Sequence, residues 1–192
     1  ATEAFTPRIW MGNKQIPIYS LMVATKPLTD SVMKEIKNSN RATLQEACHL
    51  ITYAQFTADN RIALGGRGVR YKLFSRLSER SELDNRMHKA LELKVKSWFP
   101  QLKDIEFEYR WGGAVALTRR WQSFLNYDRT TGQAQIGGYV GDGVTLSYLV
   151  AKTLAMTISN QKIPNLPFVN QRIGNWEIEP IRYLAVNAGF KA

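Results

Sequence analysis

The chain has 192 residues, 44% hydrophobic and 22% charged, which suits a soluble globular protein of one ordinary domain or slightly more. No apolar run approaches the roughly 20 residues of a membrane span, and the single cysteine, Cys48, excludes an internal disulfide and points to a reducing, cytoplasmic setting. Lysine and arginine number 26 against 16 acidic residues, a formal charge of +10 with a pI near 9.8, so a basic module that binds nucleic acid has to be weighed.

The first residues, "ATEAFTPRIW", show neither an initiator Met nor a signal-peptide pattern, and sequence upstream of them is expected. "QIPIYSLMVATKPL" is rich in β-branched and aromatic residues and predicts a strand over 15–25, ended by Pro27. "TDSVMKEIK" opens on two cap-type residues and predicts a short helix. "CHLITYAQF" and "RIALGG", separated by the turn composition "TADN", predict a hairpin. His49 then lies beside Cys48 in a strand-like run, as a packed histidine rather than a base. With His88 the three residues are too few for a Cys/His zinc set, and no metal is expected.

"SELDNRMHKALELKVKSWFP" predicts a helix with a capping box of Ser81 and Asp84. Its core-facing stripe is Leu83, Met87, Ala90, Leu91, Val95 and Trp98, and Pro100 ends it. "IEFEYRW" alternates: Ile105, Phe107, Tyr109 and Trp111 are expected on a dry face, with Glu106, Glu108 and Arg110 on a wet one, until Gly112 and Gly113 interrupt the strand. "WQSFLNYD" and "GQAQIGG" predict a second hairpin around "RTTG". A helix follows over 143–158, with an apolar stripe of Val144, Leu146, Leu149, Val150, Leu154 and Ile158. The tail, "NLPFVNQRIGNWEIEPIRYL", reads as an extended segment packed over something else. Hairpins outnumber crossovers, which gives an α+β fold with a largely antiparallel sheet and flanking helices. The basic residues are scattered, with Arg67/Arg70/Lys72 and Arg119/Arg120 as the tightest groups. Such groups read as a solvated basic face or an anion-friendly cleft, and dedicated nucleic-acid binding is the lesser reading.

The stretch "IGGYVGDG" places Gly137, Gly138, Gly141 and Gly143 where a strand turns into the long helix. Glycines allow positive φ and close approach of a ligand to the backbone. The first amides of a helix lack partners, and its dipole puts about half a positive charge there. Together these make an anion-binding corner, although a tight turn with close backbone packing accounts for the glycines equally well. The spacing is not G-x-G-x-x-G.

The stretch resembles the C-terminal flavin-contacting segment of the FAD-dependent oxidoreductases of the D-amino-acid oxidase type, a group that includes glycine, sarcosine and γ-glutamylputrescine oxidases. Further pieces resemble the same group in the same order: "ATEAFTPRI", "IPIYSLMVATKPL", "TADNRIALGGRG", "FPQLKDIEFEYRWGG" and "WEIEPIRYL". Two departures stand out. The N-terminal Rossmann part with its glycine fingerprint has no counterpart here, and Gln122–Ser123 stand where many members carry a proline.

The resemblance implies the substrate-binding, flavin-covering portion of an oxidase that removes hydride from the carbon beside an amine. FAD is the cofactor and a small amine or amino acid the substrate. It implies a division into 1–10 (the end of an FAD-domain segment), 11–135 (the substrate-binding sheet) and 136–192 (glycine turn, helix and tail). The implied cofactor contacts are Gly137, Gly138, Tyr139, Val140, Gly141, Asp142, Gly143, Val144 and Thr145. Asp142 is expected to cap the helix with its side chain turned away from the ring. Tyr53, Trp111 and Tyr139 are the substrate-binding candidates, and no catalytic triad is required. The partner would be an N-terminal FAD-binding domain. The chain alone is expected to be inactive, to retain no FAD, and to self-associate through the surface that faces that domain.

Overall fold

The computed structural model describes residues 12–36, 40–48 and 50–190. Its strands are β1 (Gln15–Thr25), β2 (Leu44–Glu46), β3 (Thr52–Phe56), β4 (Ile62–Arg67), β5 (Phe107–Thr118), β6 (Phe124–Tyr127) and β7 (Ala134–Gly137). Its helices are α1 (Asp30–Ile36), α2 (Glu79–Glu82), α3 (Asn85–Trp98), α4 (Gly143–Ile158) and α5 (Ile181–Gly189). The chain divides into two compact units. A hairpin unit holds the described residues up to Ile18, Leu73–Ser75 and Val115–Leu184, and a sheet unit holds Tyr19–Lys72, Arg76–Ala114 and the residues from Ala185 onward. Among the described residues no helix is long and apolar enough to cross a membrane. The segment 1–10 and His49, which figured in the sequence reading, lie outside the described residues.

The five-stranded sheet runs β2-β3-β4-β1-β5, and the registers of β1 on β4, β3 on β4 and β2 on β3 are all antiparallel. Val23 and Ala54 both stand opposite Leu64, and Phe56 stands opposite Ile62. All five, with Leu21, are buried, because a pleat sends every second residue of neighbouring strands to one face. Helix α3 covers that face, with Leu91 and Met87 meeting the sheet at Gly66. Phe99, just past α3, closes on Phe56 edge-to-face, ring centroids 5.8 Å apart. The other face, with Ser20, Met22, Tyr53, Ala63 and Arg67, is half-buried.

Several sequence expectations are corrected. Helix α3 starts at Asn85, and its cap is Asp84, whose carboxylate accepts the Met87 amide at 2.9 Å. Ser81, expected to cap, is buried in the one-turn α2 with its hydroxyl unbonded. Of the expected α3 stripe only Leu91 and Val95 are buried, joined by His88, while Leu83 is 60% exposed. The strand expected from Cys48 begins only at Thr52, and Cys48 is exposed, bonding to the Leu50 carbonyl at 2.9 Å. Gly112 and Gly113 do not interrupt β5. A Cβ at Gly112 would meet Leu21 at 2.9 Å, so the strand passes through by close packing. Tyr109 and Trp111 are half-exposed, so the first half of β5 has no dry face. The tail is extended only in part, since its last stretch folds as α5.

Candidate functional site

In the hairpin unit the β6–β7 hairpin sets the end of a strand beside the start of a helix. Its register pairs Phe124 with Gly137 and Tyr127 with Ala134. Asp128 shapes the turn, accepting the Thr130 amide and the Thr131 hydroxyl, each at 2.8 Å. Hydrogen bonds from Thr131 and then Thr130 hold its carboxyl below the usual aspartate value. Arg129, from the same turn, donates to the Thr157 carbonyl at 2.7 Å and to Asn160 Oδ1 at 2.6 Å. A cation therefore sits at the negative end of α4. Leu125, Val150 and Phe168 form a small core against which Tyr139 and Leu154 pack.

Between β7 and α4 the backbone turns tightly. The Asp142 amide bonds to the Tyr139 carbonyl at 2.9 Å, and the two central residues, Val140 and Gly141, have φ of 51° and 104°. Positive φ is strained for β-branched Val140, of order 1–3 kcal/mol. The four glycines divide into different roles. A Cβ at Gly138 would lie 2.2 Å from the Gln122 carbonyl oxygen, so this glycine serves internal packing. The Ser123 hydroxyl bonds to the Gly138 carbonyl at 3.2 Å, so Gln122–Ser123, the departure noted in the sequence, forms the other side of that close approach. Gly137, paired with Phe124, is extended and buried. At Gly143 nothing among the described residues lies within 4 Å of a Cβ, and their packing does not require glycine there.

Helix α4 begins at Gly143, and its first intrahelical bond is Leu146 N to Asp142 O, 3.1 Å. The amides of Gly143, Val144 and Thr145 have no hydrogen bond among the described residues. Asp142 was expected to cap them with its side chain and does not: its φ and ψ of −90° and 32° are not those of a β-region N-cap, and its carboxylate accepts no cap bond. Val144 is 92% exposed. Here are three aligned, open donors at a positive helix end, beside a glycine with space around it. A planar group with an electron-rich edge fits such a cradle. The expected stripe on α4 is also corrected. Only Val150 and Thr153 are buried, while Tyr148, Leu149 and Ile158 remain exposed.

Tyr53 and Trp111 belong to the sheet unit. Tyr53 stands opposite Gly65, and its ring lies over that glycine, where a Cβ would be 2.7 Å from Cζ. Its hydroxyl is 3.3 Å from Ser20 Oγ. Gly112 points to the Leu21 face, so the pleat of β5 sends Trp111 to the Tyr53 face. The two are thus brought to one side of the sheet. Tyr139 instead packs on the core of the hairpin unit. Arg67 is half-buried on the face of Tyr53 and Ser20, a placement that only the strand pairing supplies. Arg110 is tied to Glu92, Nε to Oε1 2.7 Å. The "EP-R" motif is a clasp: Glu179 and Arg182, each 5% exposed, pair at 2.9 Å, and Glu179 also accepts the Tyr183 amide at 3.0 Å.

The family model described as FAD dependent oxidoreductase matches residues 1–157. The γ-glutamylputrescine oxidoreductase of Escherichia coli K12 is 27% identical over 171 residues, 84% of this chain and 37% of the relative. A probable oxidoreductase, OrdL, of Haemophilus influenzae is 26% identical over 149 residues, 77% of this chain and 31% of the relative. Among solved structures, glycine oxidase from Geobacillus kaustophilus superposes with a TM-score of 0.60 at 16% identity, over 86% of this chain and 41% of that one. Fructosyl peptide oxidase from E. terrenum gives 0.69 at 12%, over 98% and 46%. The chain therefore spans less than half the length of each of these proteins.

Proposed function

We infer that this chain, which belongs to the FAD dependent oxidoreductase family, is the substrate-binding and flavin-covering part of an oxidase acting on an amine or amino acid. The observation that carries the reading is the open start of α4, where the Gly143, Val144 and Thr145 amides have no partner among the described residues, beside a glycine with free space around its Cβ position among those residues. Gly141 to Thr145 would hold the electron-rich edge of the FAD ring. When bound, FAD supplies the chemistry, acceptance of a hydride from the carbon beside the amine.

The chain's own residues supply field and position. Fixed amides at a helix start stabilise negative charge as it develops and need no rearrangement to do so. The turn bond from the Asp142 amide to the Tyr139 carbonyl fixes that start, and Arg129 anchors the other end of the helix. Tyr53 offers a hydroxyl that can donate to a substrate carboxylate or accept from its amine, and Trp111 offers an apolar wall on the same side of the sheet. Tyr139 contributes by packing under the turn. The exposed apolar side chains of α4 support a partner surface, the N-terminal FAD-binding domain, and self-association in its absence. Lys26, Arg61, Lys94, Arg110, Arg119 and Arg182 are tied to acids, and no observation favours the nucleic-acid reading.

The test is to express the complete reading frame that contains this chain and purify the product. It should absorb near about 450 nm, as flavoproteins do, and consume oxygen with at least one compound from a panel of D-amino acids, glycine-like secondary amines and γ-glutamylated or free polyamines. A colourless product inert to the whole panel would end this reading.

A further inference from the structure

We propose that the sheet unit carries a binding groove for a small organic anion with two negative charges and a short apolar portion. The groove encloses about 410 Å³ and is walled by the segment after β4, the first turns of α3 and the end of α5. That size falls in the range of small-molecule sites, about 300–1,000 Å³. Arg70 and Lys72 stand on one wall and Arg86 on another. All three are exposed, and their side chains make no ion pair or hydrogen bond among the described residues. The one carboxylate of the lining, Asp84, is engaged with the Met87 amide as the α3 cap. Three cations against one carboxylate leave the lining at +2, with apolar surface from Val69, Met87 and Phe190.

The walls are built rather than incidental. Gly68 has φ of +154°, a conformation that favours glycine, and a Cβ there would lie 2.9 Å from Met87 Sδ, so the chain leaves β4 in close contact with α3. Asn187 donates from Nδ2 to the carbonyl of buried Tyr71 at 3.1 Å and fixes the end of α5 to the opposite lip. Arginines on separate walls suit a doubly negative group or pair of groups, since the guanidinium fork matches carboxylate and phosphate alike. The apolar lining suits a short carbon portion beside or between the anionic oxygens. This site does not rest on the flavin reading, and failure of either test leaves the other standing.

The experiment is calorimetric titration of the purified product of the complete reading frame that contains this chain, with resonance shifts of Gly68–Lys72 and Arg86–Ala90 followed in parallel. The probes are glutarate, a dicarboxylate with a short methylene chain, phenyl phosphate and inorganic phosphate. Glutarate or phenyl phosphate should bind saturably, and whichever binds identifies the headgroup. Arg70→Gln and Arg86→Gln, both exposed, should each weaken that binding about tenfold, as loss of a charge-assisted hydrogen bond does. Lys103→Gln, beyond the other end of α3, should leave it unchanged, and melting curves check that all variants fold. The proposal is overturned if neither organic probe saturates, if inorganic phosphate binds as tightly as they do, or if the arginine variants bind like Lys103→Gln.

Discussion

Replacing Val144 by proline separates the amide of the α4 start from everything else that start contributes. Val144 is the second residue of the helix and 92% exposed, and its N–H has no partner among the described residues. Proline in a helix interior costs about 3 kcal/mol, through a lost hydrogen bond and a clash with the preceding turn. Neither applies here, since no intrahelical bond ends on this amide and no earlier helical turn exists. The residue before the proline would be Gly143, whose missing Cβ removes part of the remaining steric penalty. The chain should therefore lose less than about 1 kcal/mol in urea unfolding. Function should respond quite differently. Removing one donor aimed at developing negative charge typically slows the chemical step about 100- to 1,000-fold. Val144→Ala, which trims the side chain and keeps the N–H, is the control. In the flavin-loaded product of the complete reading frame, anaerobic reduction by substrate should slow about 100-fold for Val144→Pro and less than about twofold for Val144→Ala. If both variants fold and reduce at equal rates, the amides do not face the reacting group and the argument for the site fails.

The glycines give an independent prediction. Gly138→Ala sets a Cβ 2.2 Å from a carbonyl oxygen at φ of +73° and should cost at least about 2 kcal/mol. Gly143→Ala, with nothing within 4 Å, should raise stability by up to about 1 kcal/mol while weakening FAD retention in the complete protein. Urea melts and flavin-to-protein ratios measure the two effects, and a Gly143→Ala protein that is less stable would show an unrecognised internal role. Glu179→Ala removes the acid 2.9 Å from the buried guanidinium of Arg182, which Asn13 also holds, and should cost up to about 3–5 kcal/mol. The double variant Glu179→Leu/Arg182→Leu should recover much of that, and a double variant as unstable as the single one would locate the loss in packing rather than in the uncompensated charge.

What the sequence disclosed follows from how local each cause is. The β3–β4 and β6–β7 hairpins and the limits of α4 were legible because alternation, turn residues and glycine punctuation act within a few positions. The α3 cap was displaced because two cap-type residues, Ser81 and Asp84, stand three apart and the chain folds the first into its own turn. Periodicity identified apolar residues on β5 and α4 but could not say what covers them. Tyr109, Trp111, Val144 and Ile158 have the spacing of buried positions and stay exposed. Pro167 and Pro180 suggested an extended tail, yet "IRYLAVNAG" after the last proline contains strong helix formers and folds as α5. The site divides along the same line. Helix start and glycine turn are contiguous and could be read directly, whereas the shared face of Tyr53, Ser20, Arg67 and Trp111 exists only after strands distant in sequence are paired. Gly143 shows why both levels are needed. Sequence placed it among four similar glycines, and only the empty space around its missing Cβ distinguishes it from Gly138, which the fold requires for itself.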